Sequence, residues 1–332
     1  MIAILRKRPA HGFASFFLLG VLAATPSQAR MEGSAPAILS DLSQRWIKGF
    51  RALHPSAMIS VPPPYGPPQG ALSSKLAAFL QGQLDFAFLT RKLADSDVAT
   101  FRRSHGYDPL VIPVALGSWK SFGFVDPVVV IVNSRNLVHG LSFAELDAIF
   151  SKSRRQGHLP IRTWGDVEEG LKNLPMHVVG GASWTKEDSA RGSVFRERVL
   201  LGGEWRDDPN VIAGGTEVDV PTRVASDPEA IGFTGLGHLV AGTRAVPIAL
   251  NESRFYIAPT FAAVASARYP LVRTVDLVVA RRPGACLSNE VLRLVRYLIG
   301  RKGQQAIRLE GHFLPLTRAQ RRASWQRASS CR

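Results

Sequence analysis

Small polar residues stand repeatedly where helices are due to begin. Ser34 lies ahead of an apolar-periodic stretch (Ile38, Leu39, Leu42, Trp46, Phe50), and Ser73 and Ser74 sit near the start of a second (Leu72, Leu76, Phe79, Leu80). Asp188-Ser189-Ala-Arg-Gly-Ser193 opens a third. A helix start exposes about four unpaired N–H groups and roughly half a positive charge. Several such starts facing one crevice would bind an oxyanion through backbone donors, with Ser hydroxyls completing the shell. Arg91, directly after a β-like run, and Arg191, within the third segment, would add two guanidinium groups able to clamp a dianion. Each serine also fits the plain role of an N-cap.

Patterns for other chemistries are missing. The sequence has no H-E-x-x-H, no G-x-x-x-x-G-K-[ST], no G-x-S-x-G and no Cys pair at metal spacing. Its eight histidines are scattered, and its two cysteines are too few for a Cys-built metal site. Ser183-Trp-Thr-Lys186 matches the S-x-x-K of acyl-enzymes, but the S-D-N and K-T-G partners are absent. No metal, cofactor or catalytic residue is therefore expected, and the chain reads as a non-enzyme. The rival is a phosphatase-like or acyl-transfer hydrolase using Ser183 or Ser189. Such an enzyme needs a base beside the hydroxyl, and no His lies within five residues of either serine.

The elements that must position these residues follow from periodicity. Short apolar runs (Leu84–Leu89, Val111–Leu116, Pro127–Asn133) alternate with amphipathic helical stretches, the mark of an α/β chain. Ser142-Phe-Ala-Glu145 is a capping box for a helix through Ile149 and Phe150. A helix from Ser189 should stop near Leu201 at Gly202-Gly203, and late helices should end at Gly300 and Gly311. Val61–Gln69, with five prolines, reads as a surface loop. Beyond Thr317 the chain turns polar and basic and is expected to fray.

Length and charge bound the rest. The 332 residues predict about two domains, and 45% hydrophobic against 20% charged residues excludes disorder as the main state. Residues 1–29 read as a cleaved export signal: Arg6, Lys7 and Arg8, then an apolar run from Phe13 to Ala24, then small residues Ser27 and Ala29. That run is too short to span a bilayer, which takes about 20 residues. No later stretch reaches eighteen uninterrupted apolar residues, so a soluble, periplasmic protein is expected. Losing three cations from a formal +15 leaves +12, which favours anionic partners, while export argues against nucleic acid. Weak sticking to anionic surfaces is a further role for that charge, though the tail arginines read as a solvated end. Export also permits a Cys286–Cys331 disulfide, which the sequence leaves open.

The order of segments resembles the periplasmic phosphate-binding proteins of ABC-type phosphate importers. Six stretches carry the resemblance: Gly33-Ser-Ala-Pro-Ala37; Ser73 through the Gly82-Gln-Leu-Asp85 turn to Arg91; Leu141–Phe150 with Thr163-Trp-Gly165; Asp188-Ser-Ala-Arg-Gly-Ser-Val-Phe195; Ala225–Phe233; and Gly303–Ile307 with Gly311–Pro315. The resemblance implies a type 2 periplasmic binding protein fold, with two α/β lobes joined by two hinge strands. Lobe 1 would be residues 31–117 plus 250–332, and lobe 2 residues 118–249. It implies capture of a small oxyanion, phosphate first, for the membrane permease of an ABC importer, by a monomer. The ligand would be lined by Ser34, Ser73, Ser74, Thr90, Arg91, Ser189, Arg191, Gly192 and Ser193. The sequence also departs from the family. Arg91 stands where many members have an acceptor Asp, Thr185 where they have an arginine, and Ala190 and Arg191 at the Gly-Thr of their phosphate loop. These departures leave a sensor or adhesion partner on the same fold as an alternative.

Overall fold

Every residue of Phe86-Ala-Phe-Leu89 is buried, yet successive side chains serve different cores. Phe86 and Phe88 pack with Trp46 and Phe50, whereas Ala87 and Leu89 pack with Phe79 and Phe101. A period of two with both faces apolar is what a strand covered by helices on each side requires. The structure, a computed structural model, describes residues 30–62, 71–121, 124–171, 173–180, 189–208, 211–213, 219–251 and 255–331, with the backbone alone at 71–75 and 212–213. The expected leader, most of the Pro-rich loop, Ser183 and Thr185 lie outside those residues.

The first elements are β1 (Met31–Ser34), α1 (Ser40–Leu53), β2 (Ile59–Ser60), α2 (Ala71–Leu80), β3 (Phe86–Leu89), α3 (Asp95–His105) and β4 (Leu110–Ser118). Next come β5 (Val128–Asn133), β6 (Leu141–Ser142), α4 (Phe143–Phe150), β7 (His177–Gly180) and α5 (Ala190–Arg198). They are followed by β8 (Val211–Ala213), α6 (Asp219–Ser226), β9 (Ala230–Gly235), β10 (Thr243–Ala245) and β11 (Ile248–Ala249). The chain closes with α7 (Phe261–Ala265), β12 (Thr274–Val279), α8 (Asn289–Ile299), α9 (Arg301–Glu310), β13 (Phe313–Leu314) and α10 (Arg318–Ser329).

One sheet has the order β13-β4-β12-β3-β1-β2 and another β10-β5-β9-β7-β8. The chain builds most of the first sheet, crosses through 119–127, builds the second, and returns through 250–273 to complete the first. This is the two-lobed α/β architecture that the sequence led us to expect. Within the first sheet β1 is parallel to β2 and β3, while β12 runs antiparallel to β3 and β4. Pro113 interrupts β4 without breaking it: it has no N–H for the ladder, and the register with β12 shifts at Val275/Asp276 beside it. The Ser142–Glu145 capping box forms as expected, and α5 ends at Arg198, a few residues short of the expected Leu201. Among the described residues no helix is long and apolar enough to cross a membrane.

The C-terminal tail does not fray. Thr317 and Gln320 form a capping box that starts α10, and the helix is docked on the first sheet: Ser324 Oγ donates to Pro113 O at 2.7 Å, and Arg327 to Val111 O at 3.1 Å. Pro113 and Val111 lie on β4, so the helix takes up carbonyls of a strand next to the edge. Cys286 and Cys331 are bonded, with their Cα atoms 4.4 Å apart, and the bridge anchors the end of α10 to the segment before α8. The sequence separation of 45 gives this cross-link about 4 kcal/mol of chain-entropy stabilisation. Chemical denaturation with and without reductant checks this. The reduced protein, or Cys331→Ser, should lose about 2–4 kcal/mol.

Candidate functional site

In the first sheet the carboxyl ends of β1 and β3 lie side by side, with Ser34 opposite Ala87. Open α/β sheets present ligands with this edge. Ser34 is buried there as the last residue of β1. It does not cap a helix: Pro36 precedes a short 3-10 turn at Ala37–Leu39, and Leu39 precedes α1. A Cβ at Gly33 would collide with the Phe86 ring, so this close pairing of β1 on β3 requires a residue without one. Ser73 and Ser74 are the third and fourth residues of α2, which leads from β2 into β3 and so starts on the same edge.

Thr90 and Arg91 follow β3 directly. Arg91 does not stand free: its Nη1 pairs with Asp97 Oδ2 at 2.6 Å and also donates to Lys92 O. The same Asp97 oxygen accepts from the Ala94 N–H, so the carboxylate closes the start of α3 and holds Arg91 at once. The missing acceptor Asp is therefore not simply replaced by an unpaired cation.

On the other lobe α5 begins where expected. Ser189 Oγ accepts from the Gly192 N–H at 2.9 Å, a true N-cap. Arg191, in the first turn, is buried and donates from Nη2 to Asp126 Oδ1 at 2.8 Å; the same nitrogen lies 3.0 Å from His238 Nε2. Asp126 is wholly buried and also accepts from the Gly237 N–H at 2.7 Å. A Cβ at Gly235 would run into both the Asp126 carboxylate and the Arg191 guanidinium, so the ion pair sits in a space that only glycine leaves open. Ser193 Oγ reaches Ala190 O at 3.5 Å, a helix-internal contact.

Among the described residues, Thr90 and Arg91 face Val194 and Arg198, in the second half of α5, across a crevice of about 10 Å³, room for one water molecule. Lys92–Glu197 at 3.6 Å and Arg196–Asp95 at 3.8 Å span the lobes beside it, with opposite polarity. The sequence reading missed most of what surrounds the pocket. Arg198 Nη1 donates to Pro270 O (2.7 Å) and Val272 O (3.1 Å), and burial lowers its pKa. Arg273 Nη2 donates to Thr90 O at 2.8 Å, holding the end of β3 from the next strand. Asp276, 3% exposed, also lines the pocket, and its Oδ1 has no hydrogen-bond partner among the described residues. Burial raises its pKa, partly offset by Lys92, a hydrogen bond from Thr274, and Arg198. A carboxylate inside the otherwise apolar run Val275-Asp-Leu-Val-Val279 was the available signal. The crevice thus gathers Arg91, Lys92, Arg198 and Arg273 around one carboxylate, each cation already bonded to a carboxylate or a carbonyl of the protein. Among the described residues no group of three or more His, Cys, Asp or Glu is placed to hold a metal ion.

Two α/β lobes with a cleft pocket between the end of β3 and α5 define the class of a two-lobed binding protein. Residues 40–300 match the PBP superfamily domain, and the chain belongs to that superfamily. Phosphate-binding protein PstS of Pseudomonas aeruginosa is 27% identical over 284 residues, covering 84% of this chain and 80% of the relative. Protein SphX of Synechococcus elongatus is 25% identical over 261 residues, covering 76% and 69%. The fold is shared with an ABC-type phosphate transport receptor from Vibrio cholerae (16% identical, 86% of this chain and 99% of that one, TM-score 0.51). It is shared as well with PstS from Borrelia burgdorferi (15% identical, 86% and 98%, TM-score 0.52). The resemblance read from the sequence holds.

Two outcomes follow from the buried charges. Asp126→Ala leaves the Arg191 guanidinium in a dry site without its carboxylate and should cost about 3 kcal/mol, measured by urea unfolding. For Asp276 the folded-state pKa is raised, so the folded protein holds this proton more tightly than the unfolded chain. Its contribution to stability is full below the unfolded carboxylate value of about 4 and is lost as pH rises through the folded value. Asp276→Asn should remove that loss, so the variant's stability relative to wild type increases from pH 4 to pH 7.

Proposed function

We propose that this chain is an exported, periplasmic solute-binding protein that captures an inorganic oxyanion, phosphate first, and hands it to the membrane permease of an ABC importer. The shared two-lobed fold together with 27% identity over 284 residues to a phosphate-binding protein carries this reading, and the cationic crevice between β3 and α5 agrees with it. The names of the relatives point to phosphate, and the leader-like residues 1–29 point to export. Lobe 1 comprises 31–117 with 250–332, and lobe 2 comprises 118–249. Ser34, Thr90 and the α2 start with Ser73 and Ser74 supply donors from the first lobe. Ser189, Gly192 and Ser193 supply donors from the start of α5 in the second lobe, beside the Val194 and Arg198 positions that face Thr90 and Arg91. Arg91 and Arg191 act as fixed cations, each neutralised in part by its own carboxylate, so the anion competes with Asp97 and Asp126 for them. The ligand undergoes no chemical step; Ser189 Oγ is engaged as the α5 cap. The protein works as a monomer.

Those same two ion pairs favour a second reading, a binding-fold protein retained as a sensor or adhesion partner, because neither clamp arginine is free for a ligand. Isothermal titration with phosphate, sulfate and molybdate separates the two. Heat with phosphate, weakened roughly tenfold or more in Ser189→Ala, is the expected result. Folded protein that gives no heat with any of the three overturns the transport reading.

A further inference from the structure

The basic tail that looked solvated in sequence forms a shallow, open cationic pocket on the surface. Arg318, Arg321, Arg322 and Trp325 fall at i, i+3, i+4 and i+7 of α10 and therefore share one face. That face lies against the end of α8, and Arg296 and Ile299 complete the pocket. The Arg296 guanidinium lies over the Trp325 ring, 4.7 Å from its centre, which fixes both.

Three observations set this cluster apart from an ordinary solvated face. Among the described residues, none of the four arginines is ion-paired to a carboxylate. The Nε of Arg321 is buried with no hydrogen-bond partner among the described residues. The first turn of α10 carries no acidic residue and takes Arg318 and Arg321 instead, the wrong sign for the positive end of a helix. The buried Nε and the reversed charge at the helix start both work against stability in the absence of a counter-ion. An anion in the pocket would relieve them together, by pairing with the guanidinium forks, accepting from buried Nε and meeting the helix end. The platform is rigid, since Ser324 and Arg327 bond α10 to β4 and the Cys286–Cys331 bridge fixes its end.

We propose that the pocket formed by Arg296, Arg318, Arg321, Arg322 and Trp325 is a second anion site, separate from the cleft, that takes a ligand bearing two or more phosphate groups. Four guanidinium groups exceed what one orthophosphate can neutralise. A short oligophosphate or a cluster of phospholipid headgroups supplies the same chemistry.

Two probes distinguish those sources: inorganic tripolyphosphate by titration calorimetry, and sedimentation with phosphatidylglycerol or phosphatidylcholine vesicles. The oxidised full chain is compared with Arg318→Gln/Arg321→Gln/Arg322→Gln and with a charge-matched control, Arg103→Gln/Arg135→Gln/Arg268→Gln. Tripolyphosphate binding should fall at least tenfold in the first variant, stay within twofold in the control, and weaken with added salt. Orthophosphate binding in the cleft should be unchanged in both variants, which keeps this test independent of the transport reading. Binding to phosphatidylglycerol vesicles without binding to tripolyphosphate, lost in the first variant alone, assigns the site to headgroups. The proposal is overturned if neither probe binds, or if both variants lose binding equally, since that would be net charge acting at a distance.

Discussion

The chain passes between its two sheets twice, and the two crossings are bonded side by side. The Val128 N–H donates to Leu271 O, and the wholly buried Tyr269 hydroxyl donates to Val128 O at 3.1 Å. Close by, the Gly117 N–H reaches Arg273 O, and Arg198 holds the carbonyls of Pro270 and Val272. Burial pushes the Tyr269 phenol well above its usual range, so it remains a neutral donor. Every residue of the cleft hangs from this junction. Asp126 sits just before Pro127 and β5, Arg273 leads into β12, Asp276 lies within it, and Arg198 joins α5 to the returning segment. Motion between lobes has to rotate about these paired segments, and they bring the end of β3 within reach of α5.

Much of the arginine surplus is structural. Arg206 donates to Ile149 O, Arg244 to Asn136 O, and Arg196 to the Gly202 and Gly203 carbonyls that follow α5. These guanidinium groups satisfy carbonyls that loops leave without backbone partners, where a planar fork reaches two acceptors at once. Burial lowers the Arg244 pKa, yet a guanidinium keeps its proton and serves as donor and counter-charge together. These arginines keep their charge, so the formal +15 stands while much of it serves the architecture.

How far the sequence could be read depended on whether a residue's role was local. The helix starts at Ser142 and Ser189, the strands through Phe88, Ile112 and Ile131, and the stops at Gly300 and Gly311 follow from chemistry within a few residues, and they formed as read. Ser34 ends a strand rather than preceding a helix directly, because Pro36 and the intervening 3-10 turn separate it from α1 and leave no periodic signal. Thr317-x-x-Gln320 is as local as the Ser142 box, but the run of arginines behind it hid a helix whose stability comes from β4 carbonyls two hundred residues away in sequence. Within the cleft, Thr90, Arg91 and the α5 start were legible as chemistry. Their carboxylate partners were not: Asp126 pairs across 65 positions with Arg191, and Asp276 arrives from a strand added after the second lobe is complete. Non-local pairing of single side chains leaves no periodicity to detect.

Contacts across the cleft set a limit on how the lobes can be held together. Lys92–Glu197 and Arg196–Asp95 are solvent-facing pairs at the long end of ion-pair range, each worth under about 1 kcal/mol and screened by salt. Shifting a two-state equilibrium from 1:99 to 99:1 takes about 5.5 kcal/mol. The two pairs fall well short of that, and the carboxylates that hold Arg91 and Arg191 belong to their own lobes. A ligand that bonds to both lobes in one arrangement and not in the other would supply the difference. Affinity in such a cleft then depends less on the number of arginines than on how many backbone and hydroxyl donors from each lobe the ligand satisfies at once.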